Sequence, residues 1–134
     1  MKLFTPEEAN EALELVRPLV ERLVEARREF VRLQAQLEQV RMKIAGNGGD
    51  LDPRALGETQ VAVASALTEV DALIEEIQEH GAHAKDLDVG LVDFPALHPT
   101  SGAPVLLCWR LGEDEIGWWH GLEDGFAGRK PLPF

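Results

Sequence analysis

Cysteine, basic residues and long apolar runs are all scarce in this chain of 134 residues. The single cysteine, Cys108, excludes an internal disulfide framework and predicts a reducing, cytoplasmic location. Lys and Arg number 13 against 24 Asp and Glu, which gives a formal charge of −11. Because binding a nucleic acid requires clustered Lys and Arg side chains that neutralise its phosphates, this charge argues against a nucleic-acid partner.

No apolar segment is long enough to enter a membrane. The longest apolar stretch, Val61–Leu67, is interrupted by Ser65 and is far shorter than the roughly 20 residues that span a bilayer. The first residues also lack the apolar core of a secretory signal, so we expect neither export nor membrane association. Hydrophobic residues nevertheless make up 45% of the chain, which is typical of a folded globular protein.

A long helix is predicted for residues 6–45. Thr5 and Glu8 form a capping-box pattern around Pro6, which suits the first helical position. Beyond it, apolar residues recur in alternating steps of three and four, at Ala9, Ala12, Val16, Leu19, Leu23, Ala26, Phe30, Leu33, Leu37, Val40 and Ile44. This heptad seam is a coiled-coil pattern. Pro18 interrupts it and predicts a kink near that residue, or a short helix followed by a new one.

A second helix is predicted for residues 53–80, after a glycine-rich linker at 46–49 that ends the first helix. Asp52 and Pro53 provide its cap and its first residue, and Gly81 ends it. Its seam consists of Leu56, Val63, Leu67, Val70, Ile74 and Ile77. No strand precedes the linker and no Lys-Ser/Thr pair follows it, so a phosphate-binding loop is disfavoured. We expect residues 1–81 to form an antiparallel helical hairpin.

The hairpin seams predict a partner. Two helices have little interior of their own, so the seams must be covered by a second hairpin, giving a homodimer, or by the C-terminal part of the chain. Charge also differs along the chain: residues 1–45 have eight acids and eight bases, and residues 46–81 have eight acids and only Arg54. Residues 82–134 have eight acids and four bases. These three charge patterns suggest separate structural units.

Residues 82–134 are predicted to form a small antiparallel β cap, so that the whole chain is of the α+β class. Strands are expected at 105–111 and 116–120, with a turn between them, and a third at 91–94. If Arg110 pairs with Ile116, Cys108 lies opposite Trp118 and diagonal to His120. A shift of two residues places Cys108 opposite His120. Both registers put the two side chains on one face, whereas an odd shift separates them.

Cys108 and His120 are the candidate metal ligands. With a nearby acid, Asp93, Glu113 or Glu115, they match the ligand types that bind zinc or a similar divalent metal. The same groups would also serve as a thiol nucleophile, a base and an orienting acid. The alternative is structural, with the thiol packed as a small core side chain. His80 and His83, after the second helix, are weaker candidates.

Several short, uncommon sequence motifs occur in a fixed order along the chain, at residues 4–5, 8–10, 85–87, 90–95, 107–113, 116, 119–120 and 125–129. In these motifs the chain resembles the domain-of-unknown-function 2203 family over nearly its whole length. The resemblance implies a small, mostly bacterial protein of a family without an established activity.

The charged and polar residues within these motifs form a second set of candidate site residues: Lys85, Asp86, Asp93, Arg110, Glu113, His120 and Arg129. They are either a functional cluster or a buried salt-bridge network, with Arg110 or Arg129 bound to Asp93 or Glu113. Because the heptad seam needs a partner, the leading hypothesis is a cytoplasmic homodimeric interaction or scaffold protein without enzymatic activity. The alternative is a metal- or small-ligand-binding protein, with hydrolysis among its activities, whose site lies on the Cys108/His120 face.

Overall fold

A computed structural model describes residues 1–46 and 52–134. Two long helices are followed by an antiparallel sheet and a short 3-10 turn at Phe126–Gly128. The helices are α1, Pro6–Ala45, and α2, Pro53–Glu79; the strands are β1, His83–Asp86, β2, Leu91–Leu97, β3, Pro104–Arg110, β4, Trp118–Gly121, and β5, Lys130–Pro131. The α+β class and the helical hairpin are thus confirmed. Most of the predicted linker lies in residues 47–51, outside the described residues.

Both helices begin as their caps predict. The Thr5 hydroxyl accepts a hydrogen bond from the Glu8 amide at 3.1 Å, and the Glu8 carboxylate accepts one from the Thr5 amide at 3.1 Å. The Asp52 carboxylate accepts a bond from the Arg54 amide at the start of α2. α1 continues through Pro18, so the alternative of two successive helices is wrong. A kink at Pro18 stays a prediction.

The predicted seam is buried near the sheet and partly exposed at the far end of the hairpin. Val16, Leu23 and Ile77 are fully or almost fully buried. Ile44 is 48% exposed and Leu67 is 43% exposed, although both occupy seam positions. The heptad pattern therefore overestimates how completely the seam is buried toward the far end of the hairpin.

The sheet is an antiparallel meander with the strand order β1-β2-β3-β4-β5. The three predicted strands are present, but β2 extends to Leu97 and β4 begins at Trp118, later than expected. β1 and β5 were not predicted. β1 has four residues and β5 only two, too few for an alternating pattern to be recognised in the sequence.

The two faces of the sheet have different roles. Alternation places Val92, Phe94, Leu107 and Trp109 on the face toward the helices, and all four are part of the main hydrophobic core. On α1, a second apolar stripe beside the heptad seam is also buried, and it consists of Leu13, Val20 and Val24. A helix that contacts both a second helix and a sheet needs this wider apolar face.

Four long-range hydrogen bonds join the first residues of the chain to the sheet and to its β3–β4 turn. The Phe4 amide donates to the Pro95 carbonyl at 2.8 Å, and the Ile116 amide donates to Asn10 Oδ1 at 2.8 Å. The Arg17 guanidinium donates to the carbonyls of Glu113 and Asp114. These bonds hold the β3–β4 turn against α1, so that the outer face of β3 has a defined position.

Among residues 1–46 and 52–134, no helix combines the length and the apolar character that crossing a bilayer requires.

Candidate metal centre

The register of the sheet brings Asp93, Cys108 and His120 to its outer face, away from the helices. Cys108 pairs directly with Asp93 on one side and with Trp118 on the other. His120 pairs with Leu106 and is therefore diagonal to Cys108. This is the first of the two predicted registers. The prediction that Cys108 and His120 share a face is confirmed.

The three side chains form a compact buried cluster. The carboxylate of Asp93, the Sγ atom of Cys108 and a ring nitrogen of His120 all lie within 4.8 Å of one another. Cys108 is 0% exposed, and the side chains of Asp93 and His120 are almost as fully buried. One oxygen, one sulfur and one nitrogen donor thus converge in a space without direct contact with bulk water. Of the acids that the sequence offered as the third member, Asp93 is the one that the register selects.

Hydrogen bonding fixes the tautomer of His120. Its Nδ1 atom lies 2.8 Å from the Gly121 carbonyl, which can only accept, so Nδ1 carries a proton. In the neutral ring, Nε2 is then a lone-pair acceptor that faces Asp93 Oδ1 at 3.3 Å. Two buried acceptors facing each other repel, and either a proton or a metal cation at Nε2 removes this repulsion. A metal-bound histidine is typically held in this way, with its other nitrogen donating to a backbone carbonyl.

The Cys108 thiol is a poor nucleophile in this environment. Burial, together with the negative charge of Asp93, raises its pKa from 9.0 to about 12. At neutral pH the metal-free thiol is therefore protonated and unreactive, which disfavours the expectation of a cysteine nucleophile. A bound metal reverses this logic, because a coordinating thiol is deprotonated.

An ion pair between Glu113 and Arg129 lies on the same side of the sheet. Arg129 Nη2 donates to both carboxylate oxygens of Glu113 at 2.8 Å. Glu113 is held in turn by the Arg110 amide, which donates to its Oε1 at 2.7 Å. The charges of Arg129 and Glu113 act on the Cys108 thiol in opposite directions, since the cation lowers its pKa and the carboxylate raises it. The expected salt-bridge network is thus present in part, between Arg129 and Glu113.

Aromatic rings enclose Arg129. Its guanidinium carbon lies 4.8 Å from the Trp118 ring centroid and 4.5 Å from that of Phe126. Arg110 approaches the same Phe126 ring at 5.8 Å. Stacking on rings suits a guanidinium, whose flat faces are weakly hydrated. Phe126, placed by the 3-10 turn, therefore connects the two arginines that the sequence selected.

Four of the sequence candidates are not members of the cluster, although one of them, His83, lies beside it. Asp86 Oδ1 accepts from the amides of Asp88 and Val89 in the β1–β2 turn, and neighbouring Lys85 is exposed. His80 is the C-cap of α2. His83 pairs across the sheet with Asp93 but is not among the three converging donors.

Sequence reasoning missed the residues of α1 and of the 3-10 turn that support the site. Arg17 and Asn10 bind the β3–β4 turn from about one hundred residues away in sequence, and no spacing indicates such contacts. Phe126 lies in segment 125–129, which contributes to the family resemblance, but nothing local in the sequence indicates that its ring contacts the two arginines. Only the folded chain shows these contacts, because they depend on how α1 crosses the sheet.

The fold and the cluster define an α+β protein with a helical hairpin, a five-stranded antiparallel meander and a buried Asp–Cys–His group. A family model described as "Uncharacterized conserved protein (DUF2203)" matches residues 2–132. The chain belongs to this family, which confirms the resemblance seen in its sequence. No curated protein and no solved structure matches the chain.

Proposed function

We propose that this protein binds one divalent transition-metal ion through Asp93, Cys108 and His120. The observation that carries the proposal is the convergence of three buried donor atoms within 4.8 Å of one another. The His120 tautomer supports it, because the Nδ1 bond to Gly121 leaves the Nε2 lone pair facing the other two donors.

Zinc is the ion best suited to this set of donors. Zinc accepts nitrogen, oxygen and sulfur ligands together, with bonds of roughly 2.0–2.3 Å. Tetrahedral bonds of this length place ligand atoms about 3.5 Å apart, so binding would draw the three groups closer than their present spacing. Three protein ligands leave a fourth position open, as in zinc enzymes, and hydrolysis is the activity that such a site would allow.

Metal titration tests the proposal on the full chain. The chelator-washed protein should bind one equivalent of cobalt(II), with a thiolate-to-cobalt absorption band, and zinc should displace the cobalt. We expect Cys108→Ser and His120→Ala each to weaken cobalt binding by about 100-fold or more, since each removes a ligand. His80→Ala is the matched control, because it removes a histidine at the end of α2, and it should bind cobalt like the wild type.

Circular dichroism on the same samples separates lost ligands from lost folding. If both variants keep the circular dichroism spectrum of the wild type but lose the cobalt absorption band, the result supports the metal site. Wild-type protein that binds no cobalt or zinc overturns the proposal, and Asp93, Cys108 and His120 would then be structural residues.

A second candidate function, a homodimeric interaction or scaffold role, is favoured by the far end of the hairpin. Beyond residue 30 of α1 and up to residue 67 of α2, five large apolar side chains are exposed: Val31, Met42, Ile44, Val61 and Leu67. The far part of α1 and the whole of α2 also carry opposite net charges. Residues 27–45 of α1 contain five basic and two acidic residues, whereas α2 contains one basic and six acidic residues. In a dimer, α1 of one protomer would lie against α2 of its partner.

Sedimentation velocity tests the homodimer. We expect the wild type to sediment as a dimer at micromolar concentration and the double variant Ile44→Glu/Leu67→Glu as a monomer, since two buried charges oppose association. Leu15→Glu is the control, because Leu15 is also exposed but lies near the start of α1. A wild type that remains monomeric contradicts the homodimer.

A reducing, cytoplasmic location and the lack of a nucleic-acid partner complete the proposal. The single cysteine supports the first and the charge of −11 supports the second.

A further inference from the structure

Arg129 is a buried cation whose hydrogen bonding is incomplete. Its side chain is 9% exposed, and its Nε atom has no hydrogen-bond partner in the part of the chain that the structure describes. Both bonds to Glu113 are donated by Nη2 alone. A buried donor left unsatisfied is destabilising, and such a group in a native structure requires an explanation.

The strand register places Arg129 on the face that contains the candidate metal centre. Trp118 pairs with Pro131 and Trp119 with Lys130, so that continuing the register aligns Arg129 with His120. Alternation then puts Arg129 on the same side of the sheet as Trp118, Cys108 and His120. The guanidinium stacks on Trp118, which is the cross-strand neighbour of Cys108.

The partner that satisfies a guanidinium N–H best is an anionic oxygen, because charge-assisted bonds are the stronger ones. Glu113 supplies one acceptor group and holds Arg129 in place, but the Nε–H is left free among the described residues. In a site with three protein ligands, the fourth metal position is open to an oxygen donor from outside the chain. A ligand with two anionic oxygens meets both requirements, because one oxygen can accept from the Arg129 Nε–H and the other can occupy the fourth metal position.

We infer that the site takes an oxyanion, a phosphate or a carboxylate, with one oxygen at the open metal position and another accepting from Arg129. This inference rests on the proposed metal site and names the class of its external ligand. Arg129 acts here as a binding and specificity residue. The overall charge of −11 repels anions, so oxyanion binding at this site must come from local groups.

The test uses the full chain loaded with one equivalent of cobalt(II) and titrated separately with inorganic phosphate and with acetate. We expect a saturable change in the cobalt spectrum with at least one of them, and the stronger binder identifies the class. Arg129→Gln and Arg129→Lys should each weaken anion binding by about tenfold or more, since both remove the Nε–H. Cobalt affinity should stay within about threefold of the wild type, because no metal ligand is changed.

Lys130→Gln is the matched control for charge. Lys130 is the adjacent cation, exposed and stacked on Trp119, on the opposite side of β5 from Arg129. Its loss should leave anion affinity within about twofold. If Arg129→Gln does not fold, Arg129→Lys, which keeps the charge, decides the matter. Cobalt binding without any anion response, or equal anion affinity in Arg129→Lys and the wild type, overturns this inference alone. A chain that binds no cobalt overturns the metal site and this inference together.

Discussion

At Cys108, burial and charge act on the thiol in the same direction. Removal from water disfavours the thiolate, and the carboxylate of the directly paired Asp93 adds electrostatic repulsion. Only a cation close to the sulfur would reverse both effects. The candidate site therefore differs from that of a cysteine enzyme, in which the thiolate is stabilised by neighbouring positive charge.

Alkylation of the chelator-treated folded chain measures this effect. Because the pKa of Cys108 is raised to about 12, its thiolate fraction should increase tenfold for each pH unit throughout the range from pH 8 to pH 10. We expect the iodoacetamide rate to rise over this range without levelling, and to be about 1,000-fold lower at pH 8 than in urea, where the thiol has its ordinary pKa. A plateau near pH 9 in the folded state would contradict the prediction.

The sequence predicts the site only to the extent that side chains alternate between the two faces of a strand. Cys108 and His120 share a face in either of the two even registers that the hairpin pattern allowed, and the observed register is the first of these. The choice of Asp93 as the third donor required the register of β2 on β3, to which the sequence offered no guide. Arg129 was selected as a polar residue, but its ring partner Phe126 was not.

At the level of elements, the β1–β2 turn determines how closely the sheet approaches α1. Gly90 has a φ of +74° and its carbonyl accepts from the Leu111 amide. A Cβ atom at Gly90 would meet Leu111 Cβ at 2.8 Å and the side chains of Val20 and Val24 at 3.0 and 3.2 Å. The glycine is thus required both by its backbone conformation and by the contact with the helix.

Replacing Gly90 by Ala should lower the free energy of unfolding by about 3 kcal/mol, measured by urea denaturation. Left-handed backbone accounts for about 1–2 kcal/mol and overpacking for the remainder. Gly102→Ala is the matched control, because Gly102 has a φ of +71° with open space around it. The control should lose only about 1–2 kcal/mol. Equal losses in the two variants would show that contact with α1 contributes nothing.

The two apolar stripes of α1 explain where the heptad interpretation succeeded. One stripe faces α2, as the seam predicted, and the other, Leu13, Val20 and Val24, is buried in the same core as the sheet. The heptad interpretation did not include this second stripe. Without knowledge of the sheet, it had no assigned partner.

At the level of the whole molecule, a single hydrophobic cluster contains residues of both helices and of the sheet. Val16 of α1, Ile77 of α2 and Trp109 of β3 are members of it. The sequence predicts a hairpin of residues 1–81 and a cap of residues 82–134. Whether these are separate domains is therefore tested by whether the two parts unfold together or separately. Units that share one core are expected to unfold together.

Two spectroscopic signals report on the two parts. All three tryptophans, Trp109, Trp118 and Trp119, lie after residue 81, whereas far-UV circular dichroism is dominated by the helices. We expect the fluorescence and dichroism transitions in urea to coincide, because the shared core links them. Separate midpoints would instead support two independently stable domains.

The sequence by itself determined the capped helices, the hairpin and the β character of the last third. These follow from local chemistry and from periods of 3.6 and 2, which a few adjacent residues express. The tertiary structure decided which acid completes the cluster, which stripe of α1 faces the sheet, and how Arg129 is enclosed. Such contacts join residues up to about one hundred positions apart, and the folded backbone alone brings them together.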